Sequence, residues 1–273
     1  MPAIAVIGAG YWGKNLVRVF HELGALKIIC DKDKDTLKSL SQKYSPVKTC
    51  LDPQAVFSDK SIDAVVLSSP AVTHYELAKK ALCSGKHVFV EKPLALKVKE
   101  GQELKELSER KGKILMVGHI LNYHPAIIKL KELIGGGELG RIEYIYSNRL
   151  NIGKLRCEEN ILWSFAPHDI SVILSILGEL PLNVRSFGGS YLQEGIYDTT
   201  LTTLEFLSAV KAHIFVSWLH PFKEQKLVIV GNKKMAVFDD MSEEKLFLYP
   251  HRIEWHGRIP IAQKADKVII PID

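Results

Sequence analysis

The chain has 273 residues, of which 47% are hydrophobic and 25% are charged. This is ordinary globular composition with room for two domains, and it excludes a largely disordered chain. The formal net charge of +5 comes from scattered lysines, which suits small anionic ligands better than nucleic acid. No apolar stretch reaches the roughly 18 residues of a membrane span, and no secretory signal is recognisable, so we expect a cytoplasmic protein.

The first apolar run breaks into glycines and then into helical periodicity, which predicts a strand, a tight turn and a helix. Gly8 allows the turn, Gly10 leaves room for a pyrophosphate, and Gly13 lets the helix pack closely on the strand. A second strand, Leu26 to Cys30, ends in Asp31, at about the spacing of a carboxylate that binds ribose. The sequence therefore predicts a dinucleotide-binding unit at the start of the chain.

Strands and helices then alternate as far as Val117, which predicts a parallel sheet covered by helices on both faces. We expect this doubly wound, Rossmann-type domain to span residues 1–118. Within it, Thr73 and Glu76 have the spacing of a capping box at the start of a helix. Further strands are predicted near Val47 and at Ala64 to Leu67, His87 to Val90 and Ile114 to Val117.

The pattern changes near His119, where we expect a second, α+β domain that spans residues 119–273. It opens with a helix from Pro125 to Ile134 and contains another from about Pro167 to Leu177. Short turns predict hairpins, and hence a large, mostly antiparallel sheet with helices on one face. The predicted strands run from Arg141 to Leu150, Val184 to Leu192, Thr199 to Phe206, Lys211 to Leu219, Leu227 to Val230 and Met235 to Phe238.

Three aromatic residues, Phe206, Phe215 and Trp218, fall on these strands, and we expect that helices cannot cover all of them. The open face of the sheet therefore predicts a homo-oligomer, a dimer or a tetramer.

The four cysteines, Cys30, Cys50, Cys83 and Cys157, are isolated in sequence and form no C-x-x-C pair. A zinc site and a disulfide framework are therefore not expected, and small core residues are the favoured interpretation for at least the first three. No other pattern suggests a metal site.

Several motifs together resemble the Gfo/Idh/MocA oxidoreductases over essentially the whole chain. They are the glycine run 8–13, Ser69-Pro70 with Thr73-His74, and the stretch 85–95 that contains Glu91-Lys92-Pro93. The resemblance implies an NAD(P)-dependent dehydrogenase that acts on a sugar hydroxyl. It also implies that the cofactor is bound by Gly8, Gly10, Tyr11, Trp12, Gly13, Asp31, Ser69, Pro70, His74, Glu91 and Lys92.

Segments 118–126, 147–151 and 158–169 resemble the branch that oxidises the 3-hydroxyl of UDP-N-acetylglucosamine or its uronic acid. That branch implies substrate contacts from Asn148, Arg149, Arg156, Ser164 and His168. The alternatives are dehydrogenation of another sugar or cyclitol, NAD-dependent glycoside cleavage, or a non-catalytic protein that senses the cofactor.

The chain departs from the family pattern at three places. Ser164 stands where many members carry an Asp one helical turn before the catalytic His, and Asn122 stands where an Arg is common. Members also usually continue with a mostly helical segment, whereas this chain stops at Asp273.

Two residues are candidates for catalysis. Lys92 follows a strand of the parallel sheet, at the edge where ligands bind, and a partly desolvated amine there accepts or relays a hydroxyl proton. The resemblance implies a cis Lys92-Pro93 bond. His168 follows Pro167, which favours a helix N-terminus and a neutral imidazole able to accept that proton. The alternatives are an exposed lysine and a histidine bonded to backbone.

Charged residues indicate which cofactor and substrate groups are bound. Asp31 pairs with a ribose 2′-hydroxyl and repels a 2′-phosphate, which favours NAD over NADP. Lys32 and Lys34 oppose this preference, since either could contact a 2′-phosphate. Arg149 and Arg156 are candidates to hold a diphosphate, and solvated strand-edge charges are the alternative.

Overall fold

The computed structural model describes residues 1–153, 155–157 and 159–272, which form two compact units divided between Gly118 and His119. Glu158, part of one motif quoted above, and the terminal Asp273 lie outside the described residues.

The first unit alternates strands with helices throughout. Its elements are β1 (Ile4–Ile7), α1 (Gly13–Glu22), β2 (Leu26–Cys30), α2 (Lys34–Lys43), β3 (Lys48–Cys50), α3 (Pro53–Ser58), β4 (Ala64–Leu67), a 3₁₀ turn (Ala71–Thr73), α4 (His74–Cys83), β5 (His87–Val90), α5 (Val98–Lys111) and β6 (Leu115–Val117). The strands form one parallel sheet in the order β3-β2-β1-β4-β5-β6. The order reverses between β1 and β4, and ligands bind at such a switch point in doubly wound sheets.

The central strands are buried on both faces, which explains their continuous apolar sequences. Along β1, Ala5 and Ile7 pack in one hydrophobic cluster with residues of α3, α4 and α5. Ile4 and Val6 point the other way and pack with residues of α1 and α2. The predicted fold of this region is confirmed.

One local prediction is wrong, because Thr73 makes no side-chain cap on α4. Its hydroxyl donates instead to the carbonyl oxygen of Pro70, at 2.7 Å. Thr73 has helical dihedral angles, φ −100° and ψ −10°, whereas an N-cap residue is extended, so its hydroxyl oxygen does not accept from the first turn of α4.

The second unit contains two long helices and the larger sheet. Its elements are a 3₁₀ turn (Ile120–Tyr123), α6 (Pro125–Gly135), β7 (Ile142–Leu150), α7 (Ile161–Leu177), β8 (Asn183–Gly189), β9 (Thr199–Glu205), β10 (Lys211–Ser217), β11 (Glu224–Gly231), β12 (Met235–Asp239), β13 (Leu246–Tyr249), β14 (Arg252–His256), β15 (Ile259–Gln263) and β16 (Val268–Ile269). Eight strands form a sheet in the order β16-β13-β12-β11-β7-β10-β9-β8, and β14 and β15 form a separate hairpin. Only the β7–β10 pair of the large sheet is parallel, so the mostly antiparallel prediction is confirmed.

Helices α6 and α7 pack on one face of this sheet, in one hydrophobic core. Phe206 and Trp218 belong to that core and are 4% and 1% exposed, so the helices cover these two of the three aromatic residues. Phe215 alternates with the buried Ile214 and Val216 of β10, and therefore lies on the opposite face.

Helix α7 begins six residues earlier than predicted. Asn160 caps it by accepting a hydrogen bond from the backbone N–H of Trp163, and Pro167 lies inside the helix. Proline removes one hydrogen bond of the helix, and burial of Ile161, Ala166 and Val172 offsets that loss.

Among the described residues, none of the helices combines the length and hydrophobicity that crossing a bilayer requires.

Candidate active site

The loop after β1 has the geometry of a phosphate cradle. Gly8 has φ +90°, and a Cβ there would lie 2.5 Å from the backbone nitrogen of Ser69. A Cβ on Gly13 would lie 2.7 Å from Ser68 Oγ, so both glycines are required for close packing. At Gly10 a Cβ would meet nothing within 4 Å. Space therefore remains beside the loop that leads into the N-terminus of α1, where N–H groups favour an anion.

The Asp31 carboxylate is fixed next to this loop. Its Oδ2 accepts a hydrogen bond from the backbone N–H of Ala9 at 2.6 Å, and its Oδ1 accepts one from Asp33 N at 2.9 Å. A carboxylate accepts about four hydrogen bonds, so capacity remains for the two hydroxyls of a ribose. The residue thus has the place and the chemistry of a ribose ligand.

The loop after β4 is tied to the Glu-Lys-Pro loop through His74. The imidazole is 1% exposed, with Nδ1 2.7 Å from the Pro93 carbonyl oxygen and Nε2 2.8 Å from the Ser69 carbonyl oxygen. Carbonyl oxygens only accept, so both contacts are hydrogen bonds when each ring nitrogen carries a proton. His74 holds the two loops together, and direct contact of Ser69, Pro70 and His74 with a cofactor stays a prediction.

Glu91 and Trp12 join the Glu-Lys-Pro loop to the glycine loop. Trp12 Nε1–H donates to Glu91 Oε1 at 2.8 Å. A Cβ on Gly118 would lie 3.0 Å from the same carboxylate, so this glycine makes room for it. Burial raises the pKa of Glu91, and the bond from Trp12 and the charge of Lys92 oppose that rise. The carboxylate is thus half-buried between three strand ends.

Lys92 lies two residues after the end of β5, at the carboxyl edge of the sheet. Its peptide bond to Pro93 is cis, as the resemblance implies. Tyr11, on the glycine loop, is 96% exposed, so its side chain is open to a ligand.

In the second unit, His168 lies in the middle of α7, so its predicted place at a helix N-terminus is wrong. A chain of side-chain hydrogen bonds ends at its backbone. Lys131 Nζ donates to Asn122 Oδ1 at 2.9 Å, Asn122 Nδ2 donates to Ser171 Oγ at 3.1 Å, and Ser171 Oγ donates to the His168 carbonyl oxygen at 2.8 Å. Burial lowers the pKa of Lys131. The chain fixes the turn of α7 that carries the imidazole.

Arg149 and Asp169 form a buried ion pair between β7 and α7. Arg149 Nε donates to Asp169 Oδ2 at 2.7 Å, Nη2 donates to Oδ1 at 3.2 Å, and Ser147 Oγ donates to Oδ1 at 2.7 Å. Burial opposes the charge of the guanidinium, but Asp169 outweighs burial and the pKa of Arg149 is raised. The alternative of a solvated edge charge is wrong for Arg149, since β7 is an interior strand. Its diphosphate role stays a prediction.

The other predicted substrate residues are dispersed within the unit. Asn148 Nδ2 donates to Glu224 Oε1 at 2.8 Å. Arg156 Nε lies 3.8 Å from Glu159 Oε1, and the arginine side chain is 43% exposed. Ser164 is buried in α7, one helical turn before His168. Their contact with a substrate stays a prediction.

Family comparisons agree with this geometry. Residues 3–119 match the oxidoreductase family described as having an NAD-binding Rossmann fold, and residues 127–237 match the GFO/IDH/MocA C-terminal domain. The chain belongs to the Gfo/Idh/MocA oxidoreductase family. Its first unit is therefore an NAD-binding domain of the Gfo/Idh/MocA type.

Two curated relatives and one solved structure illustrate the similarity. The 2,7-anhydro-N-acetylneuraminate hydratase of Escherichia coli K12 is 28% identical over 87% of this chain and 67% of its own length. The UDP-N-acetylglucosamine 3-dehydrogenase of Acidithiobacillus ferrooxidans is 26% identical over 67% of this chain and 56% of its own. A putative oxidoreductase from Magnetospirillum magnetotacticum has a TM-score of 0.84 at 28% identity, over 99% of this chain and 87% of that one. The chain thus spans between about half and two thirds of these two curated relatives.

Sequence reasoning missed how this Gfo/Idh/MocA chain supports His168. Asp169 lies in the ninth position of α7 and pairs with Arg149. The signal was available in principle, because an Arg on an alternating strand and an Asp on an apolar helix face both need a buried partner.

The glycine loop gives a first testable prediction. Gly10→Ala should weaken NADH binding about tenfold or more, because the methyl group enters the space left for the pyrophosphate. The free energy of unfolding should change little, since that Cβ meets no atom within 4 Å. Calorimetric titration and urea unfolding measure the two effects. Gly135→Ala, whose Cβ also meets nothing, is the matched control and should leave NADH affinity unchanged.

Proposed function

We propose that this protein oxidises a sugar hydroxyl by NAD-dependent dehydrogenation, with the 3-hydroxyl of a UDP-N-acetylglucosamine-type nucleotide sugar as the substrate group. The observation that carries the proposal is the cradle of Gly8, Gly10 and Gly13 next to the fixed Asp31 carboxylate, in a chain of this oxidoreductase family. We infer a cytoplasmic location, and no nucleic-acid or membrane partner.

The residues of the first unit fit a dinucleotide. The loop of Gly8 to Gly13 and the N-terminus of α1 would hold the pyrophosphate, and Asp31 would hold the adenosine ribose. NAD supplies the hydride acceptor when bound. The chain contributes orientation and a proton acceptor.

Lys92 is our candidate for the proton acceptor. The amine follows β5 at the ligand-binding edge, and the backbone on both sides of it is tied down. Glu91 is held by Trp12, and the Pro93 carbonyl oxygen is held by His74. In its neutral form the amine takes the proton of the sugar hydroxyl as the carbon–hydrogen bond breaks. His168, on the second unit, is our other candidate for a catalytic residue.

Substrate identity is supported by the names of two relatives. Both the anhydrosialic acid hydratase and the UDP-sugar dehydrogenase act, by name, on N-acetylated sugars. Arg149 and Arg156 are our candidates for the diphosphate, and Asn148 and Ser164 for the sugar.

The direct experiment incubates the purified protein with NAD and UDP-N-acetylglucosamine and follows the absorbance of reduced nicotinamide. We expect formation of NADH together with a keto sugar two hydrogens lighter than the substrate. UDP-glucose and myo-inositol, tested in parallel, separate the N-acetylated nucleotide sugar from other sugars and cyclitols. A protein that binds NADH but reduces NAD with none of them would contradict the proposal and favour a cofactor-sensing role.

Hydration of an anhydro sugar is the second candidate, because the relative that carries this name aligns with 87% of the chain. Adding water changes no net oxidation state, so this activity would release no net NADH. Mass spectrometry of 2,7-anhydro-N-acetylneuraminate incubated with the protein and NAD distinguishes the two candidates by the gain of one water.

Cofactor choice is our second testable prediction. NADH should bind at least ~10-fold more tightly than NADPH, because the Asp31 carboxylate repels a 2′-phosphate. Fluorescence titration with each dinucleotide measures the ratio. Asp31→Asn should reduce the ratio of NADH to NADPH affinity, since the amide side chain has the shape of the carboxylate but not its negative charge. Equal affinities in the unmodified protein would instead point to Lys32 and Lys34 as phosphate ligands.

The open face of the large sheet is our candidate for a homo-oligomer interface. Phe187, Leu201 and Phe215 are in register across β8, β9 and β10 and form an apolar row. Sedimentation at micromolar concentration should show a dimer or a tetramer, and Phe187→Glu should shift it toward monomer, because a carboxylate is costly to bury. Phe187 is 64% exposed in the single chain, so the variant should still fold. A monomer before substitution would contradict the proposal.

A further inference from the structure

Three aromatic rings meet on the open face of the large sheet. They belong to Tyr144 and Tyr146 of β7 and to His213 of the neighbouring β10, and the register of the two strands places Tyr146 opposite His213. The ring centroids of Tyr146 and His213 are 5.4 Å apart with an interplanar angle of 14°, so these rings stack. The Tyr144 ring lies 5.5 Å from that of His213 and 6.1 Å from that of Tyr146. We call these three residues the ring cluster.

The ring cluster lies on the face of the sheet that the helices do not cover. Ile145 of β7 and Ile214 of β10 alternate with its members and are buried in the core beneath α6 and α7. His213 lies two residues from Phe215 on the same strand, so the ring cluster adjoins the apolar row that contains Phe215. Its members are only partly buried in the single chain. The ring cluster therefore belongs to the surface that we propose for self-association.

A hydrogen bond joins two members of the ring cluster, between the Tyr144 hydroxyl and His213 Nδ1. Burial raises the pKa of Tyr144, so the phenol keeps its hydrogen and donates a bond to Nδ1. The neutral imidazole then carries its own hydrogen on Nε2. Burial also lowers the pKa of His213, which favours this neutral form.

The charged groups around His213 do not favour a cation there. Lys211 is the preceding residue of β10 on this face, and it pairs with Glu205 of β9 at 3.9 Å. The ring cluster on β7 and Thr203 on β9 stand opposite His213, and Arg185 of β8 stands beyond Thr203. Glu205 thus offsets the charge of Lys211, and Arg185 adds a positive charge. Among the described residues of these strands, an imidazolium at position 213 gains no counter-ion of its own.

The charges on this face suit a second copy of the chain better than a charged partner. Lys226 of β11 pairs with Asp239 of β12 at 3.3 Å, as Lys211 pairs with Glu205, so these charges are matched within one chain. A two-fold interface brings the same surface of both copies together, where an unmatched charge would meet its own kind. Covering the face removes the ring cluster from water, and burying an imidazolium without a counter-ion is costly.

We propose that the ring cluster makes self-association depend on pH, because His213 must be neutral when a second copy of the chain covers it. This inference rests on the homo-oligomer proposed above. Covering the neutral imidazole lowers the pKa of His213 further in the associated state than in the single chain. Association is therefore complete above the ordinary histidine pKa of about 6.5 and weakens as the pH falls below it. Each His213 that leaves the interface takes up a proton.

The experiment measures self-association of the full chain by sedimentation velocity between about pH 8 and about pH 5, with circular dichroism to check the fold at each pH. The dissociation constant should rise at least ~10-fold across this range. An oligomer whose dissociation constant does not change with pH would overturn the inference. A monomer at every pH would overturn it together with the proposed interface. Because no substrate or cofactor is added, failure of the proposed dehydrogenase leaves these results readable.

The variant His213→Asn identifies the group that titrates. The asparagine Oδ1 takes the place of Nδ1 and can accept from Tyr144, but the amide gains no proton, so association should be the same at every pH. His21→Asn, which replaces an exposed histidine of the first unit, is the matched control and should keep the full pH dependence. An undiminished pH dependence in His213→Asn would overturn the role of His213.

A second measurement covers the case in which His213→Asn does not associate at any pH. The pKa of His213 is measured in the unsubstituted protein by NMR of its ring protons, at concentrations above and below the dissociation constant. The pKa should be lower in the associated protein, because the covered imidazole resists protonation. The same pKa at both concentrations would overturn the inference.

Discussion

Replacing Lys92 by Met should lower kcat by about 10²- to 10⁴-fold, the range that a positioned proton acceptor contributes. Methionine keeps an unbranched side chain of similar length and cannot take a proton. NADH affinity should be nearly unchanged, because the candidate phosphate and ribose ligands are the glycine loop and Asp31. Turnover is measured with UDP-N-acetylglucosamine as substrate, and NADH affinity by calorimetry.

The matched control is Lys97→Met, on the same loop between β5 and α5. Lys97 is 77% exposed and pairs with Glu100 at 3.3 Å, so its loss should leave turnover near the original value. If Lys92→Met retained full turnover, the lysine would have no part in proton transfer. If it lost NADH binding as well, its role would be in holding the coenzyme.

The alternation of strands and helices was enough to predict the parallel sheet of the first unit, although the short helix α3 was not predicted. The strands carry their own signal, such as the unbroken apolar sequence of a doubly buried strand. Helix α7 shows where local signals fail. Pro167 reads as a helix start because proline is favoured there, but Asn160 caps the chain earlier and the apolar residues that follow pack in the core.

Side-chain partners were the harder part of the candidate site. Arg149 and Asp169 meet only when α7 packs on β7. A buried arginine or aspartate needs a charged partner, but the identity of that partner depends on tertiary packing, which no local pattern encodes.

The buried ion pair of the second unit leads to the largest expected change in stability. Asp169→Asn should lower the free energy of unfolding by about 3 to 5 kcal/mol, because it removes the carboxylate that pairs with the buried Arg149 guanidinium. The Arg149 and Asp169 side chains are only 10% and 3% exposed, so water cannot replace the lost charge. Urea unfolding followed by circular dichroism measures the difference.

A second pair, at the start of β7, provides the control. Arg141 and Glu143 also bond at 2.8 Å, but their side chains are 76% and 44% exposed. Glu143→Gln should therefore change the free energy of unfolding far less than Asp169→Asn does, because solvent already screens that pair. Similar losses of unfolding free energy in Asp169→Asn and Glu143→Gln would show that burial of the charge does not cause the destabilisation.

A large loss of stability in Asp169→Asn has two explanations, the unbalanced charge of Arg149 or the lost geometry of the pair. The double variant Arg149→Met with Asp169→Leu distinguishes them. If the cost of Asp169→Asn is the uncompensated guanidinium, removing both charges should restore much of the stability, because apolar residues of similar volume substitute well for a buried pair. Ser147 Oγ keeps a partner in the double variant, since it also donates to the Lys226 carbonyl oxygen at 3.1 Å. A double variant less stable than Asp169→Asn would mean that the pair's geometry, rather than its charge balance, holds α7 on β7.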